Sequence, residues 1–283
     1  MKIALAGSTG FIGSYVGKYL TEKGHQIVPL FREDFSQHNI SFKLLGCDAI
    51  INLAGNSVLR RWNERNIEKI TESRVGTTSS LVHTISVINH PPGILINASA
   101  IAIYSNMPEQ TEKSLSHADG FLSELVEEWE SEAIKGIYSG TRVVIARMGV
   151  VLGKNGGIIK KLLPLFRTGL RTYMGNGRQK MSYIHIYDLA RAIEYFLLNE
   201  ETSDVYNLTT PAPVSNKEFS KKLAAVVNKK TIYPLPAFFL RLIFGKASSF
   251  LLESKDVLPE RLINSGFRFQ YPDIDSCLKN LDK

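Results

Sequence analysis

A chain of 283 residues that is 44% hydrophobic buries a sizeable core, so extended disorder is excluded and one large domain with a small appendage is expected. The net charge of +7 sits on scattered pairs such as Arg60-Arg61, Lys160-Lys161, Lys221-Lys222 and Lys229-Lys230, which suits solvated faces and an anionic small ligand better than nucleic acid. The longest apolar stretch, around Ala237 to Phe244, is broken by Arg241 and falls far short of the ~20 residues of a membrane span, so no membrane partner is expected.

Apolar strands alternate with amphipathic helical stretches along the first half. Ile3 to Ala6 reads as a strand and Phe11 to Lys23 as a helix; Gln26 to Phe31 is a second strand. Between Arg32 and Asp48 there is room only for a vestigial third strand and a short helix near Ile40 to Leu45. Ala49 to Leu53, Ile94 to Ala98 and Val143 to Arg147 are further strands, with helices at Arg65 to Ile88 and Gly120 to Lys135. This alternation predicts an α/β fold: a Rossmann-type, doubly wound parallel sheet with helices on both faces.

Beyond Arg147 the pattern loosens, as expected of a substrate-binding region. Gly153 to Gly157 reads as a flexible turn, Ile158 to Phe166 as a helix, and Ser182 to Ile186 as a half-buried strand. Ser215 to Glu218 has the form of a capping box opening a helix to about Val227. The expected division is residues 1–232 for the nucleotide-binding domain and 233–283 for a small C-terminal domain. Cys47 and Cys277 lie far apart, and the apolar run at the N-terminus stops at Gly7; both favour a reduced, cytoplasmic setting over secretion.

The segment Gly7-Ser8-Thr9-Gly10-Phe11-Ile12-Gly13 follows the first strand and opens the first helix. Glycines there let the backbone turn sharply and approach a pyrophosphate at the helix N-terminus, so the segment reads as a dinucleotide cradle. Arg32 follows the second strand, where an arginine accommodates the 2′-phosphate of NADP and an acidic residue would take the ribose hydroxyls of NAD. The reading favours NADP(H), the alternative being a surface arginine paired with Glu33.

For proton transfer or substrate orientation, Tyr104 and Ser99 follow the strand end beside the expected nicotinamide position. Alternation over Ser182 to Asp188 sets Ile184 and Ile186 on one face and Tyr183, His185 and Tyr187 on the other, which would turn His185 toward a cleft. Each has a structural alternative: an aromatic wall for Tyr104, a loop cap for Ser99, and a strand placed for packing at His185 with Asp188 capping the next helix. Arg60 and Arg61 are either substrate-anion ligands or a salt-bridged surface pair. No His-Glu-x-x-His, Cys-x-x-Cys or Gly-x-Ser-x-Gly pattern occurs, so no metal site is expected.

With the glycine segment, Asn52-Leu53-Ala54-Gly55, Arg61-Trp62, Ser73-Arg74, Ala98-Ser99-Ala100, Trp129-Glu130, Gly149 to Gly153, Ile184 to Leu189 and Gly266 to Pro272 together resemble the YfcH-type epimerase-like family. These are atypical relatives of the extended short-chain dehydrogenases, and the resemblance spans essentially the whole chain, including a C-terminal domain of unknown function. It implies NADP(H) contacts from Gly7, Thr9, Gly10, Phe11, Ile12 and Gly13, from Phe31 and Arg32, from Leu53 and Ala54, and from Lys69, Arg74 and Val151. It also implies oxidoreductase or epimerase-like action on a small molecule; the amphipathic stretches around Ala237 to Leu252 suit either closure of the substrate pocket by the C-terminal domain or a homodimer. The Tyr-x-x-x-Lys dyad of that superfamily is missing: Phe121-Leu122-Ser123-Glu124-Leu125 stands in its place, which leaves a non-catalytic NADP(H) sensor as the alternative.

Overall fold

The computed structural model describes residues 1–35, 37–229 and 232–281. The first half runs β1 (Lys2–Ala6), α1 (Phe11–Glu22), β2 (Gln26–Leu30), α2 (Gln37–Leu44), β3 (Ala49–Asn52), α3 (Glu64–Thr71), α4 (Thr77–Val87), β4 (Ile94–Ala100), α5 (Phe121–Ile134) and β5 (Arg142–Met148). The second half adds β6 (Val150–Leu152), α6 (Gly157–Thr168), β7 (Thr172–Met174), β8 (Lys180–Met181), β9 (Tyr183–His185), α7 (Ile186–Leu198), β10 (Asp204–Leu208), β11 (Val214–Ser215) and α8 (Asn216–Val226). It ends with β12 (Tyr233–Leu235), α9 (Ala237–Phe244), α10 (Ser248–Leu252), α11 (Glu260–Asn264) and α12 (Ile274–Lys279).

Six strands form one parallel sheet in the order β10-β5-β4-β3-β1-β2. Its strands are continuous apolar runs because both faces are covered. Ile3, Leu5, Ile51 and Ile96 point to the side of α1 and α7, whereas Ala4, Ala6, Ile50 and Leu95 point to the side of α2 and α4. Each fully enclosed Ile or Leu contributes roughly 1.5–3 kcal/mol of hydrophobic stabilisation. The chain leaves β1 toward β2 on one side and returns to β3 on the other, so the carboxyl ends of β1 and β3 flank the topological switch point where such sheets bind ligands.

The vestigial third strand expected after Arg32 does not form among the described residues. Arg32–Phe35 is a 3-10 turn instead, pinned by Asp34, which accepts from the Phe31 N–H at 2.8 Å and pairs with Lys43 at 3.3 Å. The long helix expected from Arg65 to Ile88 is interrupted at Glu72–Gly76 by a π-helical turn that carries Arg74. The strand expected from Ser182 to Ile186 is shorter, because Ile186 already opens α7. His185 rather than Asp188 caps that helix, its Nδ1 accepting from the Tyr187 N–H at 3.2 Å. At α8 the cap is Ser215, which accepts from the Glu218 N–H at 3.1 Å.

The C-terminal residues share a core with the region after β5. Tyr271, Ile274, Cys277 and Leu278 pack with Leu152, Phe166, Tyr183 and Phe219, and β12 pairs with β7. Among the described residues no helix is long and apolar enough to cross a membrane.

Candidate functional site

The glycine turn is held in place by contacts that exclude a side chain. Gly7 has φ +78°, and a Cβ there would stand 2.6 Å from the Leu53 carbonyl oxygen, so β1's exit and β3's exit touch backbone to backbone. A Cβ on Gly13 would stand 2.1 Å from the Gly7 carbonyl oxygen, which forces the first turn of α1 against the loop. The helix start has neither a side-chain cap nor an acidic residue in its first turn. The N–H groups of Phe11, Ile12 and Gly13 meet no backbone acceptor among the described residues. This leaves aligned donors and the positive end of the helix dipole at the switch point.

Phe11 contributes differently from its neighbours. Its ring fills the space over Gly153, Gly156 and Gly157, where a Cβ on Gly156 would overlap the ring at 2.0 Å. The turn expected to be flexible is therefore clasped to the start of α1, and the aromatic side chain is spent on packing.

A cavity of about 240 Å³ opens beside this turn. Ile12, Leu53, Ala54 and Gly55 form one wall, Ala98, Ser99 and Ala100 a second, and Leu122, Leu125, Val126 and Trp129 of α5 a third, with Met148 and Phe250 completing it. Arg74 is its one charged lining residue. Its guanidinium donates to the Asn56 carbonyl at 2.9 Å and lies 5.4 Å from the centre of the Trp129 ring, and no carboxylate pairs with it among the described residues. Burial without a counter-ion lowers its pKa to about 10. A Cβ on Gly55 would stand 3.1 Å from the guanidinium carbon, so glycine there makes room for the arginine.

Polar bonds between the walls fix this arrangement. Asn52 Nδ2 donates to Asn97 Oδ1 at 2.7 Å and to Thr78 Oγ1 at 2.9 Å, and Trp129 Nε1 donates to the same Thr78 oxygen at 2.9 Å. The Asn56 N–H donates to Ser73 Oγ at 2.9 Å and its Nδ2 to the Lys69 carbonyl at 3.0 Å, which clamps the loop after β3 onto the helix carrying Arg74. The Lys69 side chain is exposed. Outside this cavity an open groove of about 1150 Å³, lined by Trp62, Ile67, Phe121 and Leu252 among others, runs to α9 and α10.

Of the expected nucleotide contacts, the structure brings together Gly7, Thr9, Gly10, Ile12, Gly13, Leu53, Ala54 and Arg74. Phe31 and Arg32 follow β2, which pairs with β1 in register Ala6 to Leu30, so they stand beside the glycine turn. Arg32 is exposed, and no carboxylate pairs with it among the described residues, Glu33 included. Val151 lies in β6, packed into the core with Ile184 and outside the cavity wall.

The residues read as proton-transfer candidates are placed otherwise. Tyr104 is fully buried; its hydroxyl donates to Asn207 Oδ1 at 2.9 Å and accepts from Arg147 Nη1 at 2.8 Å. Burial raises its pKa despite those bonds. Ser99 lines the cavity, but its hydroxyl donates to the Glu130 carboxylate, which Arg147 grips through Nε at 2.8 Å and Nη2 at 2.6 Å. Burial opposes the charge on Arg147, and its bonds to Glu130 and Tyr104 outweigh burial and raise its pKa. Ser99, Glu130, Arg147, Tyr104 and Asn207 thus form one buried chain behind the cavity.

His185 does not face the crevice. It is fully enclosed, its ring 4.3 Å from that of Tyr271, with Nε2 donating to the Asn280 carbonyl at 3.1 Å and Nδ1 committed to the cap of α7. Burial lowers its pKa to about 4. The face opposite Ile184 and Ile186 is covered by the C-terminal helix, which alternation along one strand could not reveal. Arg61 donates to the carbonyls of Leu242 and Ile243 at the end of α9, and among the described residues it forms no salt bridge. At the place of the missing dyad, Phe121 packs edge-on against Trp62 and Leu125 is cavity wall, so neither side chain there can move a proton. The sequence reading gave Trp129, Met148 and Phe250 no part in the site, because they come from three distant segments with no motif in common.

Residues 3–209 match the NAD dependent epimerase/dehydratase family, and residues 235–281 match a domain of unknown function, DUF1731. The Epimerase family protein YfhF of Bacillus subtilis is 36% identical over 99% of this chain and 98% of its own length. The mouse epimerase family protein SDR39U1 is 35% identical over 99% of both. The crystal structure of human SDR39U1 (isoform 2) with NADPH superposes with a TM-score of 0.92 at 32% identity, covering 99% of each chain. A UDP-N-acetylglucosamine 4-epimerase from Bacillus cereus, at 21% identity and a TM-score of 0.80, shares the fold. The chain belongs to the NAD dependent epimerase/dehydratase family and carries a DUF1731 domain at its carboxyl end.

Proposed function

We propose that this protein binds NADP(H) across the carboxyl ends of β1, β3 and β4 and serves as an oxidoreductase or epimerase-like enzyme for a small molecule. The observation that carries the nucleotide is Arg74, a guanidinium with no carboxylate partner among the described residues that lines the same cavity as Ile12 of the glycine segment and Leu53, whose carbonyl packs against Gly7. That donor set fits a pyrophosphate: the Gly7–Gly13 backbone approaches it, the free N–H groups of α1 hydrogen-bond it, and Arg74 balances its charge. Arg32, beside the glycine turn and without a carboxylate partner, suits the 2′-phosphate. The relative solved with NADPH supports the same reading.

When bound, a nicotinamide supplies hydride transfer at its C4. The chain's own part is to seat it against Ala98 to Ala100 and to exclude water with Leu122, Leu125, Val126 and Phe250. Ser99, Glu130, Arg147 and Tyr104 are positioning residues in this reading, holding the ends of β4 and β5 against α5. The C-terminal residues roof the cavity through Phe250.

A second reading, a non-catalytic NADP(H) sensor, is favoured by one observation: the Tyr104 and Ser99 hydroxyls are both engaged in the buried chain, and Phe121 and Leu125 occupy the dyad positions. Affinity for NADPH and NADH, measured side by side by calorimetry with Arg32→Ala as the control, tests the shared nucleotide step. The expected outcome is tight NADPH binding that falls toward the NADH level in the variant. If neither nucleotide binds, both readings fail. NADPH oxidation across a panel of small aldehydes, ketones and keto-sugars then separates enzyme from sensor.

A further inference from the structure

We infer that α9, with the basic segment joined to it through β7 and β12, forms a surface that lies on an anionic lipid bilayer. Charge is strongly segregated along the chain. Residues 133–187 hold ten Lys and Arg and no Asp or Glu, and residues 219–252 hold six and none. The other 18 cations share the rest of the chain with all 27 carboxylates, so the nucleotide-binding half is net acidic and the excess positive charge belongs to the second half.

The two acid-free segments meet in space. β12 runs parallel to β7, with Tyr233 beside Thr172 and Leu235 beside Met174, so α6 ends at one end of the pair and α9 starts from the other. Lys160, Lys161 and Arg167 of α6, with Arg241 and Lys246 of the α9–α10 region, are exposed and have no carboxylate partner among the described residues.

α9 itself shows solvent an apolar face. Phe238, Phe239, Leu242 and Ile243 are 67%, 49%, 60% and 58% exposed, while Leu240 on the opposite side is buried. Positions i, i+1, i+4 and i+5 share one side of a helix, so the four side chains form one patch. Leu165, Leu170 and Tyr233, also exposed, extend the apolar surface near the β7–β12 pair. The helix is held from behind: Arg61 donates to the carbonyls of Leu242 at 2.5 Å and Ile243 at 3.2 Å, closing its C-terminal end.

An apolar helix face whose own segment, residues 219–252, carries six cations and no acid matches a helix that rests in the headgroup layer, its large side chains sunk ~5–10 Å into the acyl boundary. Charge complementarity selects this occupant over the others. A second copy docked isologously would set the acid-free segment 219–252 against its own copy, and a nucleic acid would leave the Phe and Leu side chains wet. No spanning segment is involved.

The test is flotation of the full chain with vesicles of phosphatidylcholine alone and of phosphatidylcholine mixed with phosphatidylglycerol, with NADPH affinity as the control for folding. Binding is expected only to the anionic vesicles and should weaken at high salt. The double variant Arg241→Glu/Lys246→Glu should lower the partition about twenty-fold or more, since each cation near such a surface is worth roughly fivefold. Phe238→Ser/Phe239→Ser should abolish it, with NADPH affinity unchanged in both. Absence of flotation, equal binding to both vesicle types, or variants that bind as the parent does would overturn the inference. So would a dimer that dissociates in the serine variant without flotation, which would mark a contact between copies, or binding to duplex DNA indifferent to the two phenylalanines.

Discussion

The guanidinium of Arg74 lies over the indole of Trp129, 5.4 Å from the ring centre, so the cavity's cation rests on an aromatic wall rather than on a carboxylate. The π-helical turn at Glu72–Gly76 breaks an otherwise regular helix where this arginine must turn inward, and the Thr78 hydroxyl fixes the indole from behind. A cation kept by a ring and by carbonyl oxygens remains available to an anion.

Replacing Arg74 by Met is expected to raise the dissociation constant for NADPH by about 10- to 100-fold, the worth of a charge-assisted bond to phosphate. Stability without nucleotide should change by no more than about 1 kcal/mol, because the lost carbonyl bonds are offset by removal of a cation without a counter-ion. Calorimetric titration and urea unfolding measure the two quantities. A large loss of stability with unchanged affinity would make the arginine a structural post.

Tyr104→Phe should destabilise the fold by about 1–3 kcal/mol, since the missing hydroxyl leaves Arg147 Nη1 and Asn207 Oδ1 short of a partner inside the core. NADPH affinity should stay within about twofold, because the hydroxyl faces the buried chain. If urea unfolding is unaltered while substrate-dependent NADPH oxidation collapses, the phenol acts at the reacting centre instead.

His185 makes the stability of the fold depend on acid. In the unfolded chain the imidazole takes up a proton near its ordinary pKa of 6.5, whereas the folded one resists until about pH 4, chiefly because it is buried. The neutral ring's contribution is therefore complete above pH 6.5 and lost as pH falls toward 4, in total about 3 kcal/mol. In His185→Asn the melting temperature should fall less steeply over that interval. Equal slopes in parent and variant would assign the acid sensitivity to other groups.

The parallel sheet and the glycine turn were legible in the sequence because each rests on local chemistry. Continuous apolar runs such as Ile94 to Ile96 can only be interior strands, and glycines at 7, 10 and 13 follow a strand and open a helix. The part of the site built from contacts between distant segments was not legible. Period-two alternation correctly separated His185 from Ile184 and Ile186, yet could not show that α12 covers the histidine's face. Likewise Tyr104 stands where a proton donor was expected, and its hydroxyl is turned away by Arg147 and Asn207, which are 43 and 103 positions further along the chain.

By itself the sequence determined the fold class, five of the six strands of the sheet and the glycine turn, because strand burial, helix periodicity and glycine geometry are properties of a few neighbouring residues; the sixth strand, β10 beside β5, was not read from it. Only the tertiary structure decided which side chains reach the cavity. Arg74 does so through a π-helical turn and the space left at Gly55, while Tyr104 and His185 are drawn into buried hydrogen-bond networks. The physical reason is that a buried polar group must be satisfied by whatever partner the packing brings to it, and those partners are set by the meeting of remote segments.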